Sequence, residues 1–179
     1  QIALTNRGFS TGAIDGLSGF QMREAIKGFQ QNQKLTQTGE LDTKTRQLLT
    51  LKQPLTKYQI TAQDLQSITT LPKTWIGKSE AKSLGYETIL ELIDEKFHAH
   101  TNVIKRLNSE INWAKTKAGM EIIVPNFISF RLENKAEMLK VSVNKKIIQV
   151  FNRAGKLIAQ FPCSIAKDKS KTFEGELTV

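Results

Sequence analysis

Apolar residues recur along this chain with two different periods, and the change of period divides it. In the first fifty residues the spacing is helical. A short first helix is expected to end at Arg7-Gly8, where glycine suits a left-handed cap. A second is predicted over residues 20–32, because Met22, Ala25, Ile26 and Phe29 follow the i, i+3, i+4, i+7 spacing of one buried face. A third is expected to start at Asp42, whose carboxylate can accept the unpaired amides of a first turn, and to bury Leu48 and Leu49, with Leu51 as a further candidate. Two similar corners separate these helices, Gly12-Ala13-Ile14-Asp15 and Gly39-Glu40-Leu41-Asp42. Each places glycine, then an aliphatic residue, then a carboxylate ahead of a helix. The stretches that follow also match, Arg23-Glu24-Ala25-Ile26 against Arg46-Gln47-Leu48-Leu49, so the segment reads as a weak two-fold repeat.

Lys52-Gln53-Pro54-Leu55 reads as a linker. After it come a short strand at Tyr58-Gln59-Ile60-Thr61, a helical turn over 64–69, a break at Pro72 and a helical stretch over 79–84. Residues 86–97 are predicted as an amphipathic helix with Ile89, Leu92, Ile93 and Phe97 on one face. Residues 101–108 form a shorter helix with Thr101 as its N-cap, and residues 118–126 a turn followed by a strand. The period then becomes two. Leu139, Val141 and Val143 alternate with Lys140, Ser142 and Asn144, and strands are expected over 147–151, 156–164 and 172–179. Asn144-Lys145 and Asn152-Arg153-Ala154-Gly155 supply the turns. The result is a β-meander with two exposed edges and too few strands to close a core.

Composition narrows the class. Of the 179 residues, 39% are hydrophobic, enough for packed cores, and no apolar run approaches the ~20 residues of a membrane span. The formal charge is +9, distributed as +2 over residues 1–50, +2 over 51–126 and +5 over 127–179. The late excess lies at Lys140, Lys145, Lys146, Lys156, Lys167, Lys169 and Lys171. Such a surface attracts polyanions in general. These lysines alternate with apolar residues, as on the solvated face of a sheet, and no recognition motif or aromatic stacking platform accompanies them, so nucleic acid is not an expected partner.

Candidate chemistry is sparse. Cys163 is the single cysteine, which excludes an intramolecular disulfide, and one Cys with two His cannot supply a typical four-ligand zinc site. His98 and His100 are two apart and do not share a helix face, so His98 is read as a packing or capping residue. No metal, cofactor or catalytic residue is expected. Asp15 is read as a turn and cap residue.

The series Gly8-Phe9, Gly12, Ile14-Asp15-Gly16, Gly19, Ala25-Ile26, Phe29-Gln30, Leu35, Thr38-Gly39, Leu41-Asp42, Thr45 and Leu48 resembles the peptidoglycan-binding domain family of three-helix modules. Met22 departs from it, since the family more often has Thr there. The resemblance implies binding of glycan strands or stem peptides. Asp15, Phe20 and Arg23, beside the Gly-rich turn, are the candidate contacts. In the middle region, strand, helix, helix, strand, with Leu107-Asn108 and Gly119-Met120-Glu121-Ile122-Ile123-Val124-Pro125, resembles a LysM glycan-binding module. It departs by about 20 extra residues between the first strand and Tyr86.

The segments Val150-Phe151-Asn152, Gly155-Lys156-Leu157-Ile158, Phe161-Pro162-Cys163-Ser164-Ile165-Ala166 and Gly175-Glu176-Leu177-Thr178-Val179 resemble the start of an L,D-transpeptidase catalytic domain. Members of that family carry a later Ser-His-Gly-Cys-x-x-Arg type motif, which is not in these 179 residues. Cys163 occupies a position where the family usually has a small residue, and it is read as structural. The expected architecture is therefore α+β and multidomain. It comprises an N-terminal three-helix peptidoglycan-binding bundle over 1–51, a linker and LysM-like region over 52–126, and the start of an L,D-transpeptidase β domain, a truncated meander, over 127–179. The chain is expected to be the targeting portion of an exported cell-wall cross-linking enzyme, itself inactive, in the periplasm or cell envelope. A non-catalytic wall-anchoring module is the alternative. Peptidoglycan is the expected partner, and the sequence leaves the oligomeric state open.

Overall fold

The computed structural model describes residues 1–81, 83–132, 135–172 and 174–178. In chain order the elements are α1 (Ile2–Thr5), α2 (Phe20–Asn32), α3 (Thr43–Leu48), β1 (Leu55–Gln59), α4 (Ala62–Gln66), α5 (Trp75–Glu80), α6 (Ile89–Lys96), α7 (Thr101–Leu107), β2 (Glu121–Pro125), β3 (Met138–Ser142), β4 (Ile147–Phe151) and β5 (Leu157–Pro162). Short 3-10 turns occupy Trp113–Lys115 and Lys169–Lys171. The chain is α+β, with seven α-helices and two antiparallel sheets among the described residues. Among those residues no helix is long and apolar enough to cross a membrane. Two compact units are present. One contains Gln1–Ala3, Ala13–Ser18 and Leu49–Ser129; the other contains Leu4–Gly12, Gly19–Leu48 and Phe130–Val179.

In the first unit, β1 and β2 pair antiparallel with Leu55 opposite Pro125 and Gln59 opposite Glu121. Along β2, Ile122 and Val124 are buried while Glu121 and Ile123 face solvent, the alternation of a strand covered on one side. The cover is α6 and α7: Ile89, Leu92, Ile93 and Ile104 form one core with Ile60, Ala99, Ile122 and Val124. Buried Asn108 ties the end of α7 to β2. Its Nδ2 donates to the carbonyls of Ile104 and Ile123, both at 2.8 Å, and its Oδ1 accepts the Ile123 amide at 2.7 Å. Ile14 joins the same unit, its amide donating to the His98 carbonyl and its carbonyl accepting from the His100 amide.

Several local expectations shift, each for a visible reason. The linker is shorter than expected because Leu55 already belongs to β1. The long amphipathic helix starts at Ile89 instead of Tyr86. Thr88 caps it by accepting the Glu91 amide, and Tyr86 is held in a bridge with the backbone of Ser67 and Thr69. The helix expected over 79–84 lies earlier, as α5, because the Thr74 hydroxyl accepts the Gly77 amide; Lys82 lies outside the described residues. Thr101 is not the cap of α7. His100 fills that place, its Nδ1 accepting the Asn102 amide, while the Thr101 hydroxyl donates to Asp94. His98 lies just past α6 with φ +52° and packs edge-on against Phe127 at 4.7 Å.

A polar network backs the core of this unit. The Tyr58 hydroxyl donates to Asp64 at 2.5 Å, the Thr61 amide donates to the same carboxylate at 2.8 Å, and Lys96 reaches its other oxygen at 2.9 Å. Burial alone would raise the Asp64 carboxyl, but these donors outweigh it and hold it at about 2.

In the second unit, β3, β4 and β5 form the expected meander, with a bulge at Val150/Phe151. Two features of the sequence reading are corrected. The outer edge of β5 is not open, since Gln160 exchanges backbone hydrogen bonds with Gly8 (2.8 Å) and Ser10 (2.9 Å) in a parallel bridge through Phe9. No strand is present over residues 172 and 174–178; Phe173 and Val179 of that expected strand lie outside the described residues. On β3, Leu139 and Val141 are exposed, and Val143 belongs to the turn before β4. Cys163 falls just past β5, half-buried, its amide donating to the Lys146 carbonyl at 2.8 Å.

The helix α2 covers this sheet, and Gly28 is the point of closest approach. A Cβ there would lie 2.7 Å from Gln160 Oε1 and 3.1 Å from the Phe9 ring. Gln160 is buried and cannot swing aside, because its Nε2 donates to the Glu24 carbonyl and its Oε1 accepts from Gln149.

Gly28→Ala gains about 1 kcal/mol of helix propensity yet is expected to lower the melting temperature, because overpacking costs about 1–3 kcal/mol. A higher melting temperature would contradict the packing described. For Asp64, whose folded value is depressed, the stabilisation is complete above about pH 4 and is lost as pH falls through about 2. Its size is on the order of 2 kcal/mol. Asp64→Asn should therefore be less stable than wild type at pH 7, and the difference should shrink on acidification in urea titrations.

Candidate functional site

The two Gly-acid corners fold differently although they read alike. At the second, Gly39 has φ +74° and its amide donates to Gln30 Oε1 at 2.9 Å. The Gln30 side chain is fully buried, and its two N–H groups are shared among Thr38 Oγ1, the Glu40 carbonyl and Thr45 Oγ1 at 2.9–3.0 Å. Asp42 caps α3 as expected, its Oδ1 accepting the Thr45 amide at 2.8 Å, and this bond leads those that pull its carboxyl below the usual range. The buried residue of α3 is Thr45. Leu48 is 44% exposed, and Leu49 and Leu51 are half-buried, so the expected burial of that helix is corrected. The repeat in sequence is not a repeat in packing, because Ala25 and Ile26 are buried and their counterparts Leu48 and Leu49 are not.

At the first corner Asp15 is a turn residue. Its Oδ1 accepts the Gln1 side-chain amide at 2.7 Å and the Leu17 amide at 2.8 Å, and these bonds, the first foremost, hold its carboxyl below the usual range. It does not cap α2, whose N-cap is Gly19 with no side-chain cap. Phe20 and Arg23 stand three apart on α2 and therefore share a face. Phe20 is 57% exposed, and the Arg23 stem passes over Gly39, where a Cβ would meet Arg23 Cγ at 2.7 Å. Asp15 belongs to the first compact unit; Phe20 and Arg23 belong to the second.

The second unit also holds a cleft of about 440 Å³ that the sequence did not indicate. Asn6, Arg7, Phe9, Phe29, Asn32 and Gln33 line it from the N-terminal segment, and Phe130, Arg131, Leu132 and Ile158 from the later part of the chain. Phe9 and Phe29 are buried and meet edge-to-face at 5.8 Å. Asn32 is fixed by donating to the Leu157 carbonyl at 2.8 Å, and Gln33 donates to Asn32 Oδ1 at 2.6 Å. Gly8, with φ +83°, makes room for one wall, since a Cβ there would lie 2.7 Å from Phe130 Cε1. Among the described residues, two basic side chains and no acidic one line this space.

Residues 1–49 match the family described as Putative peptidoglycan binding domain. No curated protein matches the chain. The corner glycines, Gln30, Thr38, Asp42 and Thr45 all lie inside the matched span, and all are structural here. The match over these residues supports a cell-wall binding role with peptidoglycan as the partner. Four of the ten cleft-lining residues lie outside the matched span.

Because Gln30 is the partner of the Gly39 amide and the Glu40 carbonyl among the described residues, Gln30→Leu should cost about 2–4 kcal/mol, the sum of leaving such groups unpaired. Urea unfolding measures this, and a loss under 1 kcal/mol would mean the corner does not depend on that amide.

Proposed function

We propose that this chain is the wall-targeting portion of a peptidoglycan cross-linking L,D-transpeptidase, acting in the periplasm or cell envelope. The observation that carries the binding half of this reading is the family match over residues 1–49. Its support in the fold is that α1, α2 and α3 are separated by two corners with left-handed glycines, Gly12 at φ +78° and Gly39 at φ +74°. The three-helix bundle over 1–51 is the module that docks on the wall, with Phe20 and Arg23 on α2 and Asp15 in the first corner as contacts. Residues 52–126 serve as a LysM-like region. The antiparallel β1/β2 pair with α6 and α7 between its strands supports this, and the intervening α4 and α5 are its departure. Residues 127–179 are the start of the catalytic β domain, supported by the β3-β4-β5 meander and by the resemblance of its strands. The complete enzyme would acylate its cysteine with a stem peptide, releasing the residue beyond the cleaved bond, and pass the acyl group to an amine of a second stem.

Purified chain should co-sediment with peptidoglycan sacculi and remain bound at moderate salt. If it stays in the supernatant at low salt, the wall-binding reading fails. The enzymatic parentage has its own test. Coding sequence that continues past Val179 into a Ser-His-Gly-Cys-x-x-Arg motif is expected, and a stop codon there leaves a non-catalytic anchoring module.

A further inference from the structure

We propose that the 440 Å³ cleft of the second unit is the subsite in which a peptidoglycan stem peptide seats a free carboxylate, with Arg131 as its cationic wall. This rests on the peptidoglycan-binding reading above and names the part of the polymer that is recognised. Three observations carry it.

The first is charge. Arg131 reaches the lining from the later part of the chain, beside Arg7 of the N-terminal segment, and among the described residues no Asp or Glu lines the space. A guanidinium offers a planar fork of donors that matches a carboxylate, so the lining selects an anion of that shape over a neutral ligand.

The second is the character of the apolar surface. Sugar rings pack on exposed flat aromatic faces. Phe9 and Phe29 are only 2% and 1% exposed and turn edge against face, so they provide a floor and no open platform, and Phe130, the half-buried third aromatic of the lining, has one ring edge against Gly8. Ile158 and Leu132 offer aliphatic contact of the kind an alanine methyl makes. A glycan strand, uncharged apart from its lactyl substituents, has little to gain here. A short peptide with methyl side chains and free carboxylates matches both surfaces. The volume falls within the range of about 300–1,000 Å³ typical of small-ligand sites.

The third is construction. Asn32 is locked to the Leu157 carbonyl and in turn accepts from Gln33, so the polar rim is held in place before any ligand arrives. Gly8 and Phe130 are in van der Waals register, so the segment carrying Arg131 is seated directly on the peptidoglycan-binding domain. The pocket thus needs residues from within the matched span and from beyond it.

The test uses the full 179-residue chain and three probes: a synthetic stem tripeptide with free carboxylates, the same peptide fully amidated, and glycan strands freed of peptide by an amidase. Calorimetry should show the free tripeptide binding at least tenfold more tightly than its amide. Arg131→Gln should abolish that preference, and Arg131→Lys should restore part of it. Gln33→Ala should weaken the tripeptide severalfold. Arg131 and Gln33 are both exposed, and unchanged unfolding curves would exclude a folding defect. Equal binding of acid and amide, an Arg131→Gln chain that binds like wild type, or a preference for bare glycan would each overturn the assignment. Sacculus pelleting run alongside separates the two levels. A chain that pellets but ignores the tripeptide keeps the wall-binding reading and loses this subsite, whereas a chain that does neither loses both.

Discussion

A buried side-chain amide has no stable place in an apolar interior unless its donors and its acceptor are all met. Gln30 imposes that requirement on the second unit. It is fully buried on α2, and the groups that meet it come from the backbone of Gly39 and Glu40 and from the hydroxyls of Thr38 and Thr45. The corner at residues 38–42 is thereby pinned to the helix before it, and α3 can start only where Asp42 then lies. Toward the sheet, α2 meets the same requirement in reverse, since buried Gln160 of β5 donates to the Glu24 carbonyl beside Gly28. One helix thus provides a buried amide for a corner and a backbone acceptor for a strand. Its only interior glycine sits where the strand's side chain comes closest.

This explains which parts of the fold could be read in advance. The bounds of α2 were legible because a 3.6-residue pattern reports a helix that buries one continuous face. Strands β4 and β5 and the Asn152–Gly155 turn were legible because alternation and turn chemistry are local. The corner glycines were legible because left-handed backbone leaves few alternatives. What failed depended on distant partners. Leu48 looks buried by analogy with Ala25, yet burial is decided by what packs against a residue, and α3 turns Thr45 inward to reach Gln30. Tyr86 continues an amphipathic pattern, but a backbone bridge to Ser67 and Thr69 takes it before the helix can. The outer edge of β5 looked open because nothing in residues 8–10 has strand character; their pairing depends on the chain returning 150 residues later.

The candidate site was legible only in part, for the same reason. Asp15 reads as a turn and cap residue from its neighbours alone; the hydrogen bonds from Gln1 and Leu17 agree with the turn, while the cap position of α2 falls to Gly19. The cleft had no signal of its own. Arg7 stands before a capping glycine, and Arg131 lies in a stretch with neither period, so neither carries a pattern. They share a site because Phe130 fits the space that Gly8 leaves empty. The basic excess of the last segment also reads differently once folded. Lys145 lies 3.4 Å from buried Glu24 and shares it with Lys27 at 2.8 Å, so part of that charge neutralises an internal carboxylate that burial alone would push up.

That ion cluster bears on how binding and folding are linked. Glu24 is only 4% exposed, and removing either lysine would leave a desolvated carboxylate poorly paired. Lys27 and Glu24 are in α2, within the peptidoglycan-binding domain, whereas Lys145 is in the turn between β3 and β4. The domain's own helix therefore depends on a charge supplied from the later sheet, as its cleft depends on Phe130 and Ile158. Anything that binds the folded form of this unit and not the unfolded chain stabilises both segments together by mass action. A wall ligand seated in the cleft would in that way reinforce the sheet as well as the helices, and loss of the sheet would remove the site along with it.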